Sequence, residues 1–232
     1  DDVAELISVG LKYYQISNGK FDITVAPLSD LWDFKSEDAS VPDADDIAEA
    51  LSKVGADQLS LSGNTLTFAS DDVMIDLGAL VKGFAANQMK TYLTENGVTS
   101  GLLNLGGNVL TIGSRPDGSD WSIGIQKPFD DNDPIIDVVK VKDQTVVSSG
   151  IYERYFKQDG VIYHHILDPD TGYPIQNDLW GVSIICDSSL TGDALSTTCM
   201  TLGYEKANDL IQSLDQTEAE FILDDCKLKK TF

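Results

Sequence analysis

Short apolar runs of period two follow one another along this chain with little but turn residues between them. Gln58–Leu61 and Thr65–Phe68 flank Ser62-Gly63-Asn64, a hairpin signal. Val109–Ile112, Trp121–Gln126, Ile135–Val141 and Thr145–Ser148 come next as four successive strands. Arg154–Lys157 and Val161–Ile166 form a second hairpin around Asp159-Gly160. Strands that are neighbours in sequence pair antiparallel, whereas a doubly wound sheet needs a helix between each pair. The pattern therefore predicts an α+β fold: antiparallel or mixed sheets with packed helices.

Helical spacing is confined to a few places. Val3, Leu6, Ile7, Leu11 and Tyr14 place a helix over 2–17, stopped by Asn18-Gly19. Further helices are expected over 43–54, 79–95, 192–201 and 204–214. Val73–Leu77, Leu102–Leu105, Trp180–Cys186 and 219–223 read as additional strands. With 232 residues, 42% of them hydrophobic, the chain is long enough for a real core, and we read 1–232 as a single domain. No stretch approaches the roughly 18 apolar residues of a membrane helix. A net charge of −22 repels phosphate polymers and anionic membrane surfaces, which argues against a nucleic-acid partner. Cys186, Cys199 and Cys226 form no Cys-x-x-Cys pair and read as small buried hydrophobes. The chain opens on Asp1-Asp2 and reads as a piece of a longer protein. The acidic loop Phe129–Pro134, with Asp130, Asp131, Asn132 and Asp133, reads as solvated rather than as a calcium loop.

Polar and glycine residues gather in five clusters. In GKFDITVAPLSDLW (19–32), Asp22 lies among apolar residues; it either caps the local turn or accepts a hydrogen bond from a ligand. In DLGALVKGFAAN (76–87) a strand runs through a glycine turn into a helix, with Lys82 as a mobile cation, an arrangement suited to phosphate. In NLGGN (104–108) the glycines serve either close backbone approach or a β-bulge or tight turn. SSGIYER and HHILDPDTGYP hold the only two histidines, His164 and His165, which on a strand point to opposite faces. In TGDALSTT (191–198), Asp193 falls near a helix start, with Ser196 and Thr197 at i+3 and i+4 on its face. Those oxygen donors suit Mg²⁺, though an N-cap would use the same residues.

In order, GKFDITVAPLSDLW, IDLGALVKGFAAN, LLNLGGNVLTIG, WSIGIQKP, VVSSGIYERYF, HHILDPDTGYP and GDALSTTCMTLG resemble the ApbE family of FAD:protein FMN transferases over nearly the whole chain. The resemblance implies an ApbE-like, T-fold-related architecture and a Mg²⁺-dependent transfer. FMN would pass from FAD to a Thr or Ser hydroxyl of a target protein through a phosphodiester bond, with AMP released. It implies that Lys20, Phe21, Asp22, Asp76, Lys82 and Leu167 contact FAD, and that Ala79 (through its carbonyl), Asp193, Ser196 and Thr197 form the metal site. It also implies His165 as the catalytic histidine, acting with Asp193. The implied partner is a flavoprotein subunit of a membrane electron-transfer system. The implied location is extracytoplasmic, periplasmic or cell-surface, with a lipid anchor on a longer form. Family members carry a further N-terminal stretch that adds a strand and part of the FAD site, and that stretch is expected ahead of Asp1. An FAD pyrophosphatase and a non-catalytic flavin-binding protein are the alternative readings.

Overall fold

The computed structural model describes residues 1–130 and 132–232. Helix α1 (Asp2–Ile16) is capped by the Asp1 carboxylate, which accepts from the Val3 N–H. Then come α2 (Ala26–Trp32), α3 (Ala44–Leu51), a 3-10 turn at Ala56–Gln58, and the hairpin β1 (Leu59–Ser62) and β2 (Thr65–Phe68). After α4 (Val81–Glu95) follow β3 (Gly101–Leu105), β4 (Asn108–Ile112), β5 (Trp121–Gln126), β6 (Ile135–Val141) and β7 (Thr145–Gly150). Next are β8 (Tyr155–Gln158), β9 (Val161–His164) and β10 (Leu179–Cys186). The chain ends with α5 (Ser189–Leu202), α6 (Tyr204–Gln212), β11 (Glu218–Leu223) and β12 (Leu228–Lys230).

These elements fall into two compact units, one of Asp1–Gly78 with Ile151–Asn177, the other of Ala79–Gly150 with Asp178–Phe232. The first holds α1–α3 and the hairpins β1–β2 and β8–β9. Its core gathers Leu28, Trp32, Ile47, Ala50 and Leu167. The Trp32 indole is buried and donates to the Gly172 carbonyl at 2.8 Å, so its one polar atom is satisfied.

The second unit is built on a six-stranded sheet in the order β12-β11-β10-β7-β4-β3, every neighbour antiparallel. Between β3 and β4 the chain reverses through Gly106 and Gly107, both at positive φ (61° and 90°), as a two-residue hairpin turn requires. One set of alternate residues (Val109, Val146, Ile185, Ile222) packs against Ile123, Ile125, Val139 and Val141 of the β5–β6 hairpin. Lys230 ties that hairpin down through Asp137 and through the fully buried Glu220, at 2.7 Å. Burial pushes the Glu220 carboxyl up to about 7.

The antiparallel α+β expectation holds, with differences of physical origin. Val73–Leu77 forms no ladder: the Asp76 N–H bonds the Ile23 carbonyl at 2.7 Å instead. Helix α2 hides inside a segment without helical period, started by Pro27 and ended by Asp33 at φ 37°. Helix α5 begins three residues earlier than expected because Ser188, not Asp193, is its N-cap. Strand β12 is too short to carry a pattern. In the acidic loop Asp130 is a staple, accepting from the Asn132 and Asp133 N–H groups and pairing with Lys127 at 2.7 Å; Asp131 lies outside the described residues. All three cysteines are free thiols.

Candidate functional site

The sequence-chosen residues divide between the units. Lys20, Phe21, Asp22, Asp76, His165 and Leu167 lie in the first; Ala79, Lys82, Asp193, Ser196 and Thr197 lie in the second.

In the second unit the geometry is set by two helices in backbone contact. Gly83 sits in the first turn of α4, and a Cβ there would stand 2.3 Å from the Ser189 carbonyl oxygen of α5. Only glycine allows this approach, which is why a poor helix former occupies a helix. The approach delivers the Gly83 N–H to Asp193 Oδ2 at 2.8 Å. Asn87, one turn further along α4, uses both ends of its amide: Oδ1 accepts from the Ser189 N–H at 2.9 Å and Nδ2 donates to Ser188 Oγ at 3.1 Å. A carboxylate at 87 would lack that donor.

Asp193 is 4% exposed. Burial pushes its carboxyl up to about 6, against the Gly83 N–H, the charge of exposed Lys82 and the Asn108 amide, which favour the anion. The N-cap alternative for Asp193 is excluded, because Ser188 fills that position and Asp193 lies inside the helix. Ser196 is fully buried; its hydroxyl donates to the Asp193 carbonyl at 3.0 Å and meets Ser149 Oγ at 2.8 Å. Thr197, on the next position, is half-buried, as is Ala79 ahead of α4. Among the described residues no three His, Cys, Asp or Glu side chains gather as a metal cluster. A site with one carboxylate, hydroxyls and a carbonyl fits a hard cation such as Mg²⁺, which keeps several waters and few protein ligands. The buried anionic Asp193, with only backbone and amide donors and one exposed Lys82 around it, fits such a cation on charge grounds.

In the first unit the polar atoms are mostly engaged. Asp22 Oδ1 accepts from Thr24 N–H (2.7 Å) and Thr24 Oγ1 (2.6 Å), and Oδ2 from Ala56 N–H (3.0 Å). Its two oxygens thus cap two turns, the first of the alternatives read from the sequence. Phe21 is buried against Tyr13, with ring centroids 6.0 Å apart, and Leu167 belongs to the Trp32 core. Lys20 bridges Asp168 (2.7 Å) and Asp170 (2.8 Å). Burial opposes its charge, but these carboxylates outweigh burial and raise its pKa. Asp76 is exposed and receives the Gly78 N–H at 2.7 Å.

The two histidines are separated by their surroundings. His164 ends β9 and is 3% exposed. Its Nε2 meets the Ile175 carbonyl at 3.0 Å, so Nε2 carries the proton, and the Ile166 N–H points to Nδ1 at 3.4 Å. Burial, helped by the neighbouring His165, lowers its pKa to about 4. It is a neutral structural histidine. His165 is partly exposed, and its Nδ1 meets the Arg154 carbonyl at 3.3 Å.

Three further residues shape this site: Gly83, whose sequence signal is a glycine inside a helical pattern; Asn108, which shares NLGGN with the more conspicuous glycines; and Ser189, which carries no sequence signal.

The chain belongs to the ApbE family, whose model it matches over residues 1–221. It is 37% identical over 222 residues to an FAD:protein FMN transferase of Klebsiella pneumoniae (strain 342), covering 95% of this chain and 68% of that one. It is 35% identical to an FAD:protein FMN transferase of Treponema pallidum (strain Nichols), covering 97% and 66%. Among solved structures it is similar to a flavin transferase ApbE from Vibrio cholerae, with a TM-score of 0.88 and 28% identity over 99% of this chain and 74% of that one. It is also similar to the ApbE protein of Thermotoga maritima, with a TM-score of 0.87 and 31% identity over 99% and 75%. The chain thus spans about two thirds of the length of the curated relatives it matches.

Proposed function

We propose that this chain is the body of an FAD:protein FMN transferase that depends on Mg²⁺. The observation that carries the reading is the buried Asp193 carboxylate, held by the Gly83 N–H at the first turn of α4 beside the exposed cation Lys82, within a chain of this family. FAD is a substrate whose pyrophosphate this protein, at net charge −22, would otherwise repel. Asp193, Thr197 and the Ala79 carbonyl, with Ser196 beside them, would hold Mg²⁺, which supplies charge neutralisation at the pyrophosphate when bound. Lys82 adds a mobile cation for phosphate oxygens. Family resemblance assigns Lys20, Phe21, Asp22, Asp76 and Leu167 to FAD contacts.

The hydroxyl oxygen of an acceptor Thr or Ser forms a bond to the FMN-side phosphorus. The bond from that phosphorus to the bridging oxygen breaks, and AMP leaves with that oxygen. His165 takes the hydroxyl proton. Positioning and electrostatics supply most of the rate in such transfers. The acceptor is a flavoprotein subunit of a membrane electron-transfer system and the setting extracytoplasmic; both follow from family resemblance.

Incubating the protein with FAD, Mg²⁺ and a Thr-containing acceptor peptide should give a peptide heavier by one FMN moiety, read by mass spectrometry, with AMP in equal amount. AMP without peptide gain would replace this reading by an FAD pyrophosphatase. FAD binding with neither product would leave a flavin carrier.

A further inference from the structure

Asn108 opens β4 with its side chain 1% exposed. Its Oδ1 accepts from Ser189 Oγ at 2.6 Å, and Ser189 is held in turn by Thr145 Oγ1 at 3.1 Å. Ser189 stands one turn before Asp193 on α5, so residues that reach it reach the same helix face. With Oδ1 committed to Ser189, the buried Nδ2 is left without a hydrogen bond of normal geometry, and the amide is among the groups that favour the Asp193 anion. The flipped amide would set its oxygen against the Asp193 carboxylate, so the carboxylate selects the rotamer and the Ser189 hydroxyl holds its other end. A buried amide donor without a partner is costly, and the adjacent acceptor is the carboxylate.

We infer that Asn108 is a positioning residue for Asp193: its amide N–H, locked by Ser189 and Thr145, fixes how the carboxylate presents its oxygens to a divalent cation. The inference rests on the metal reading of Asp193 given above. Partners that orient a ligand commonly control metal affinity by about 10–100-fold.

The test is Mn²⁺ binding to the intact chain without FAD, followed by electron paramagnetic resonance, beside thermal unfolding of each variant. Asn108→Leu keeps the volume and removes the amide; it should weaken Mn²⁺ by about tenfold or more. Ser189→Ala keeps Asn108 but removes the hydroxyl that holds its Oδ1, and should weaken Mn²⁺ less. The ratio of these losses should not follow the losses in unfolding temperature, which a purely structural role would require. If Asp193→Ala abolishes Mn²⁺ binding while both other variants bind within twofold of the parent, the positioning role is overturned and the metal reading survives. If Asp193→Ala binds Mn²⁺ like the parent, both fall. Should Asn108→Leu fail to fold, Ser189→Ala alone decides.

Discussion

Asp22 and Asp193 are both buried carboxylates, and burial raises the pKa of each, yet their surroundings differ. In the first unit Asp22 is saturated: three donors from Thr24 and Ala56 occupy its two oxygens. In the second unit Asp193 receives one backbone N–H of normal geometry among the described residues, with the Asn108 amide nearby. A saturated buried carboxylate holds a fold together. One kept short of donors inside a rigid helix pair holds acceptor capacity for something else. Burial alone does not separate the two; the donor count does.

The largest effect that would break this contrast is on turnover. Asp193→Ala should lower Mg²⁺-dependent AMP release by about a hundredfold or more, since on the proposed metal reading it removes a ligand of the charge-neutralising ion. Asp193→Asn should lose the same activity while unfolding within about 1 kcal/mol of the parent. Steady-state rates against Mg²⁺ concentration, with urea unfolding alongside, would check both; a variant that loses stability in step with activity would make Asp193 another Asp22.

The next effect is on stability. Asp22→Ala strands the Thr24 and Ala56 N–H groups in a buried site, at about 1–3 kcal/mol per orphaned donor. Urea unfolding should show a loss of about 2–4 kcal/mol. A neutral result would mean that water replaces the carboxylate and that the cap contributes little.

The smallest effect is in pH dependence. The Asp193 carboxyl rises to about 6 in the fold, above its ordinary 3.8. Its contribution to stability is therefore full below about 4 and lost as pH rises through about 6. A divalent cation binds the ionised form, so added Mg²⁺ should raise the unfolding temperature at pH 7 by a few degrees and much less at pH 5. Asp193→Asn should flatten that difference in differential scanning calorimetry.

How far the sequence could be read follows from where its signals are local. The hairpins β1–β2 and β8–β9 came through because Ser62-Gly63-Asn64 and Asp159-Gly160 impose turns within a few residues, whereas Gly106-Gly107, open between close approach and a turn along the chain, was decided by the pairing of β3 with β4. Helix α2 did not, because a Pro start and a positive-φ Asp33 make seven residues helical with no repeating apolar face. The Val73–Leu77 strand failed because strand pairing depends on a partner, and here the Asp76 N–H finds a loop carbonyl. The helical spacing of Asp193 and Ser196 was visible along the chain, and both lie inside α5.

The sequence by itself determined the α+β class, the family and the residue types available for chemistry, because periodicity, turn residues and ordered motifs are written along the chain. Only the tertiary structure decided what each polar group does. His164 and His165 are adjacent in sequence and chemically identical. One became a buried neutral hydrogen-bonding group and the other stayed partly exposed, because burial and the Ile175 and Arg154 carbonyls reach them differently. Asp22 and Asp193 parted for the same reason: a carboxylate's role is set by how many donors converge on it, and those donors come from residues tens of positions away.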